Sequence, residues 1–89
     1  MSIYCVSYDL MKEKDYPKLV EKLKSYGAYA HAQGSLWFIK SPKNASELRD
    51  ELKSFIDEDD KLIVMRVTLP WASSNLSKEV SDWLKKVDF

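Results

Sequence analysis

The order of its apolar patterns constrains the fold of this chain more than any other feature. Segments rich in β-branched and aromatic residues, which favour strands, begin at Ile3, Ala28, Ser35 and Lys61. Segments with apolar residues at three- and four-residue spacing, which predict helices, follow the first, third and fourth of them. The predicted order is strand, helix, strand, strand, helix, strand, with one further helix at the C-terminus.

The first predicted strand ends on a carboxylate. It runs from Ile3 to Leu10, and mostly polar residues follow Asp9. We expect Asp9 at the rim of a sheet, where it is the first candidate for chemistry. The alternative is that Asp9 only caps or solvates the loop that follows, since Asp is a common loop residue.

Local signals place the helix ends. The first helix is predicted to begin at about Tyr16 and to stop at Gly27, which suits a left-handed cap. The second follows Asn44, which forms a capping box with Glu47. The third is predicted over residues 74–88, with a cap at residue 74 or 75.

Two features describe the middle and last strands. Gln33-Gly34 predicts a tight turn of an antiparallel hairpin, and a single strand kinked at Gly34 is the alternative. The stretch from Lys61 to Leu69 is the longest apolar run, and we interpret it as a central or near-central strand.

This order predicts an α+β fold, the ferredoxin-like βαββαβ arrangement of a four-stranded antiparallel sheet with an additional C-terminal helix. The 89 residues form one predicted domain, with a core over residues 1–69 and the extra helix over 74–88. In this topology one end of the sheet gathers polar residues: Asp9, Gln33, Gly34, Ser35, Asp59 and Asp60. The two core helices cover one sheet face only, so a symmetric partner, the third helix or both must cover the other. We favour a homodimer.

Composition narrows the setting. The chain has 14 basic and 14 acidic side chains and zero formal net charge, which argues against a generic polyanion binder. Its one cysteine, Cys5, lies in the first strand and forms no intramolecular disulfide. With no signal-peptide pattern and no apolar run of membrane-spanning length, we expect a cytoplasmic protein that does not enter a membrane.

Four segments carry a resemblance through their order and spacing. They are Tyr8-Asp9-Leu10 at the end of the first strand, the helix from Leu19 to Gly27, Ser35-Leu36-Trp37 in the hairpin, and Asp60-Lys61-Leu62-Ile63-Val64 opening the last strand. In these, residues 1–69 resemble the small CRISPR-associated "Cas two" proteins and, equally, the VapD-like toxins.

The resemblance implies a ferredoxin-like homodimer in which the strand-end Asp of each subunit faces its mate. In parts of the family this supports Mg²⁺- or Mn²⁺-dependent cleavage of RNA or DNA, and in others the protein is a nucleic-acid clamp without cleavage. Asp9 matches the family's metal-binding carboxylate, and Ser35, the second catalytic candidate, matches a hairpin serine. The chain departs from the family in two respects. Family members tend to have arginines soon after the strand-end Asp, where this chain has Lys12 and Lys14. The family's tail often adds a strand across the dimer, whereas the tail after Leu69 is predicted to be helical here.

Other candidates are weaker on their residue types alone. Lys12, Lys14 and Lys18 form a basic loop and helix flank that could contact a nucleic-acid backbone, or a solvated face paired with acidic neighbours. Histidine is a common general base, which makes His31 a candidate, but a lone strand histidine is usually a packing or surface residue. The acidic run 57–60 could extend a metal site or be a solvated loop. The rival hypothesis is a non-catalytic module that binds a partner protein or oligomerises.

Overall fold

The computed structural model describes residues 1–10 and 17–87. Seven elements follow one another in the chain: β1 (Ser2–Asp9), α1 (Pro17–Lys24), β2 (Tyr29–Gln33), β3 (Leu36–Ser41), α2 (Ala45–Lys53), β4 (Lys61–Val67) and α3 (Lys78–Lys86). No helix among these residues combines the length and the apolarity that crossing a membrane requires. The expected start of α1 at Tyr16 lies outside the described residues.

The four strands form one antiparallel sheet in the order β2-β3-β1-β4, which confirms the predicted ferredoxin-like fold. β1 pairs with β3 through Val6 and Trp37 and with β4 through Val6 and Val64. The interpretation of β4 as a central or near-central strand is wrong, because β4 is an edge strand. Its apolar run misled the prediction, since Ile63 and Met65 are in fact 53% and 57% exposed.

β2 and β3 form the predicted hairpin, with a different turn. The two loop residues are Gly34 and Ser35, because Gln33 still pairs with Leu36. A register irregularity lies between His31 and Gln33. This irregularity moves the turn one residue beyond the predicted Gln33-Gly34.

One face of the sheet packs against α1 and α2. Its buried cluster joins the strands to Leu19 and Leu23 of α1 and to Leu48 and Leu52 of α2, with Trp37 fully buried between them. Asn44 caps α2 as predicted: its side chain accepts a hydrogen bond from the Glu47 N–H, and the Glu47 side chain accepts one from the Asn44 N–H. At the end of α1, Gly27 adopts the left-handed φ of 88° expected of it.

A cluster of polar side chains links α1 to α2 on the outer side of this layer. The Glu51 carboxylate accepts a hydrogen bond from the Tyr26 hydroxyl at 3.1 Å and pairs with Lys22 at 3.2 Å and with Lys43. The hydrogen bond from Lys43, together with those from Lys22 and Tyr26, lowers the pKa of Glu51 to about 2. Burial and the Glu51 carboxylate raise the pKa of Tyr26.

The third helix covers only part of the opposite face. Val80 and Leu84 of α3 form a second buried cluster with Ala30 of β2, and Trp71 and Trp83 pack against it. α3 begins at Lys78, later than the predicted residue 74. Ser77 is the N-cap, since its side chain accepts a hydrogen bond from the Val80 N–H, and Asn75 has a φ of 62°, which no helical residue adopts.

Candidate functional site

Asp9 is the last residue of β1 and is exposed. Tyr4 and Val6 of β1 are buried in the cluster beneath α1 and α2. Because side chains alternate across a strand, Asp9 belongs with Cys5 and Ser7 to the other face. The strand-end carboxylate therefore lies on the sheet face that α1 and α2 leave open.

Hydrogen bonds fix the hairpin turn beside the end of β1. The Tyr8 N–H donates to the Ser35 carbonyl at 3.1 Å, and the Tyr8 hydroxyl donates to the Gly34 carbonyl at 3.5 Å. The Trp37 indole N–H donates to the Tyr8 hydroxyl at 3.2 Å. The residue before Asp9 is thus held through both its backbone and its side chain, which orients the strand end.

The surface around Asp9 is a shallow depression of about 160 Å³, lined by Ser7, Tyr8, Asp9, Lys61, Leu62 and Ile63. Lys61 lies opposite Asp9 in the register of β1 and β4. The lining residues therefore include one carboxylate, one ammonium group and two hydroxyls, those of Ser7 and Tyr8, a set that suits a metal-bound phosphate better than an apolar ligand.

An apolar surface adjoins this depression. Ile63, Met65 and Leu69 are 53%, 57% and 64% exposed, and Cys5 pairs directly with Met65. Burial raises the pKa of the Cys5 thiol, which keeps it protonated and unreactive. We refer to Ile63, Met65 and Leu69 as the open apolar patch.

The other sequence candidates fall at three places. Ser35 lies in the hairpin turn, exposed, with its carbonyl bonded to the residue before Asp9. Lys18 is exposed in the first turn of α1, and α1 packs on the opposite sheet face. Lys12 and Lys14 lie outside the described residues.

His31 is held by its surroundings. Its ring stacks on Trp37 with a centroid distance of 4.0 Å and an interplanar angle of 9°, and its Nε2–H donates to the Gly34 carbonyl at 3.1 Å. These contacts make His31 a packing residue of the hairpin. This is the usual role of a lone histidine in a strand, as expected from the sequence.

The acidic loop before β4 brings three carboxylates together. Ligand oxygens of Asp57, Asp59 and Asp60 lie within 4.8 Å of one another, and the Asp57 N–H donates to an Asp60 carboxylate oxygen at 2.9 Å. Arg49 and Lys53 of α2 line the cleft beside this loop. Two basic side chains of α2 therefore lie close to the acidic loop.

Sequence reasoning missed one concave site. A notch of about 200 Å³ between β2 and α3 is lined by Tyr29, Ala30, His31, Ser77, Glu79, Val80 and Trp83. Its walls come from segments about 50 residues apart in the chain, so no local spacing could reveal it. The one available signal was Tyr29 and His31 at alternate positions of a predicted edge strand.

The fold and the strand-end carboxylate define a class: small ferredoxin-like α+β proteins with an Asp at the end of the first strand and a sheet face that is incompletely covered. The family model described as CRISPR associated protein Cas2 matches residues 1–74. The chain therefore belongs to this family, as the resemblance implied. The match includes Asp9 and Ser35 and ends before α3. No solved structure matches the chain.

Proposed function

We propose that this protein is a homodimeric, Mg²⁺- or Mn²⁺-dependent endonuclease of RNA or DNA, in which Asp9 of each copy binds the metal. One observation carries the proposal: Asp9 is exposed at the end of the same sheet face that carries the open apolar patch. A second copy packed on this patch would bring a second strand-end carboxylate close to the first.

The exposed apolar area supports the dimer. Ile63, Met65 and Leu69 are each more than half exposed, and contiguous apolar patches on small proteins commonly mark interaction sites. Their burial against a second copy would contribute about 25 cal/mol per Å² of apolar surface removed from water. An isologous contact of this kind places each residue near its own counterpart.

The donor set fits the metal. Mg²⁺ and Mn²⁺ prefer oxygen ligands and are commonly held by one or two carboxylates with several waters. Asp9 supplies one carboxylate per copy, and two such carboxylates repel one another unless a cation lies between them. When bound, the metal would stabilise charge on the scissile phosphate and lower the pKa of an attacking water.

The chain's own residues would orient the substrate. Lys61, opposite Asp9, supplies an ammonium group that attracts a phosphate oxygen. Tyr8 holds the hairpin turn through the Gly34 and Ser35 carbonyls, and so keeps the exposed Ser35 beside the strand end. Lys12, Lys14 and Lys18 are proposed to contact the nucleic-acid backbone further from the scissile bond.

The test compares Asp9→Asn with the unaltered protein on labelled RNA, single-stranded DNA and duplex DNA, with Mg²⁺, Mn²⁺ or EDTA. Asp9→Asn keeps the shape of the side chain and removes its charge. We expect metal-dependent cleavage to fall by at least about 100-fold, because both copies lose the carboxylate that binds the metal. Asp50→Asn is the matched control, since the Asp50 side chain is 66% exposed on α2 and pairs with Arg49.

Equal cleavage by Asp9→Asn and the unaltered protein would overturn the assignment of the site. Dimer mass and the thermal unfolding midpoint, measured on all three proteins, separate loss of chemistry from loss of fold. A rise in that midpoint with Mn²⁺ that disappears in Asp9→Asn is the second expected result, because a ligand of the folded state alone stabilises it.

A non-catalytic dimeric clamp or partner-binding module is the second candidate. The observation that favours it is the state of His31, the only histidine in the sequence, which is committed to Trp37 and to the Gly34 carbonyl. Its ring is therefore already engaged and is a poor candidate for the general base that would activate an attacking water. A stable dimer that binds nucleic acid or a protein and cleaves none of the three substrates would establish this function.

A further inference from the structure

The notch between β2 and α3 lies on a different part of the molecule from Asp9. Ala30 and Val80 form its floor and are 6% and 7% exposed. Tyr29 and His31 border it on the β2 side, where their rings turn to the opposite sheet face against Trp37, and Trp83 borders it on the α3 side. The site is therefore a small recess with an apolar floor, the backbone of β2 on one side and the Trp83 ring on the other.

The charged side chain in the lining of the notch is acidic. Glu79, in the first turn of α3, is the only side chain with a formal charge at neutral pH among the described residues that line it. Its carboxylate offsets the positive end of the α3 dipole. Aromatic faces attract cations through their quadrupole, so the Trp83 ring and the Glu79 carboxylate favour the same class of ligand, a guanidinium or ammonium group.

In the part of the chain that the structure describes, the backbone beside the notch has hydrogen-bonding groups that no other strand pairs. The Lys40 N–H donates to the Ala28 carbonyl, so Ala28 and, two residues on, Ala30 direct their backbone groups towards β3. Tyr29 and His31 then direct theirs away from β3, and β2 is an edge strand. These groups can pair with an added extended chain.

We propose that this notch and the free edge of β2 bind an extended segment of a partner protein that carries an arginine or lysine, whose side chain enters the notch. The segment would pair with the backbone of Tyr29 and His31. The residue opposite Ala30 would direct its side chain to the face that α3 covers, towards Val80, Glu79 and Trp83. The irregularity after His31 limits the added strand to a few residues.

A single-stranded nucleic acid is the competing occupant, because bases also stack on aromatic rings. The carboxylate of Glu79 disfavours its phosphates, and the free edge of β2 matches a peptide backbone. We therefore assign the site to a basic peptide.

The test is an NMR titration that follows the Trp83 indole N–H and the backbone N–H groups of Tyr29 and His31. The probe is a capped tripeptide with arginine between two valines, and its matched control has glutamate in the centre. We expect saturable shifts of all three signals with the arginine peptide and none with the glutamate peptide. Methylguanidinium, which lacks a backbone, should bind more weakly and shift the Trp83 signal most.

Variants make the result specific. Glu79→Gln should weaken binding of the arginine peptide about two- to fivefold, the size of a partly exposed cation contact. Glu21→Gln, an exposed carboxylate on α1, should leave it unchanged, as should Asp9→Asn. Binding thus remains measurable whether or not the protein cleaves nucleic acid.

Three results would overturn the proposal. The first is equal shifts with the arginine and glutamate peptides. The second is Glu79→Gln binding as tightly as the unaltered protein. The third is a single-stranded oligonucleotide that shifts the Trp83 signal when the arginine peptide does not, which would assign the notch to nucleic acid.

Discussion

The two faces of the sheet are built from the same four strands but differ in how much of their apolar surface is buried. On the face beneath α1 and α2, Trp37, Ile39 and Leu48 have no exposed surface. On the other face α3 buries Ala30, while Ile63 and Met65 remain more than half exposed. Both faces carry apolar residues because side chains alternate along each strand. The difference lies in what covers them.

The two faces are therefore expected to have different roles, one in the stability of the fold and the other in the candidate functional site. The helix-covered face holds the larger buried cluster, so it should supply most of the free energy of folding. The opposite face divides into an α3-covered half and an exposed half, and the exposed half is the one that adjoins Asp9. Substitutions at matched depths on the two faces can test this division.

The largest expected effect is that of Leu52→Ala. Leu52 has no exposed surface in the cluster beneath α2, and its truncation leaves a cavity that costs about 2–5 kcal/mol of the free energy of unfolding. Urea denaturation followed by fluorescence measures it. A loss below about 1 kcal/mol would contradict the placement of the main core on this face.

Leu84→Ala should have a smaller effect. Leu84 is 4% exposed, and among the described residues its cluster has two other buried members, Ala30 and Val80, surrounded by partly buried side chains, so neighbours can relax into the space. We expect a loss near the low end of the range, about 2 kcal/mol, in the same denaturation assay. A loss equal to that of Leu52→Ala would show that α3 is as integral as α2.

Glu51→Gln tests whether charge adds to the stability of the helix layer. We expect a loss of about 1 kcal/mol at pH 7, the upper range for exposed ion pairs, since Glu51 contacts Lys43, Lys22 and Tyr26. The pKa of Glu51 is lowered from 4.5 to about 2 in the folded state. The contribution is therefore fully present above about pH 4.5 and disappears as the pH falls towards 2.

Denaturation curves at pH 7, 4 and 2.5 check this dependence. The difference between the unaltered protein and Glu51→Gln should shrink as the pH falls, and Glu21→Gln should show no such trend. A difference that is constant with pH would mean that shape, not charge, makes the contribution of Glu51.

Met65→Thr should change the free energy of unfolding least, by less than about 0.5 kcal/mol in dilute protein, as for an exposed site. The informative measurement is the denaturation midpoint at two protein concentrations. The proposed dimer predicts that the midpoint of the unaltered protein rises with concentration and that the rise is reduced in Met65→Thr. Identical behaviour of the two proteins would remove the open apolar patch from the interface.

Features set by neighbouring residues could be predicted from the sequence. The Asn44–Glu47 capping box, the left-handed Gly27 and the strand end at Asp9 each depend on a few adjacent positions. The strand and helix order then fixed the fold, because few topologies accommodate it.

Features that depend on residues far apart in the chain could not be predicted from the sequence. The apolar run of β4 resembles a central strand, and only the sheet order shows that it lies at an edge. Several cap-forming residues precede α3, and tertiary packing selects Ser77. The partners of Glu51 come from elsewhere in the chain, Lys22 from α1 and Tyr26 from the segment just after it, so no local pattern marks them. At the candidate site, the sequence predicted that β1 ends at Asp9. It did not predict that Asp9 lies beside an exposed apolar patch, because that depends on how much of the sheet face α3 covers.

The edge position of β4 has a consequence for aggregation. An edge strand with apolar residues on both faces is a template for uncontrolled stacking of chains. Parallel in-register stacking would align Lys61 with Lys61 and Arg66 with Arg66, both of them exposed, at a spacing of about 4.8 Å. The resulting charge repulsion opposes such stacking, while the apolar side chains of β4 stay accessible to a folded partner.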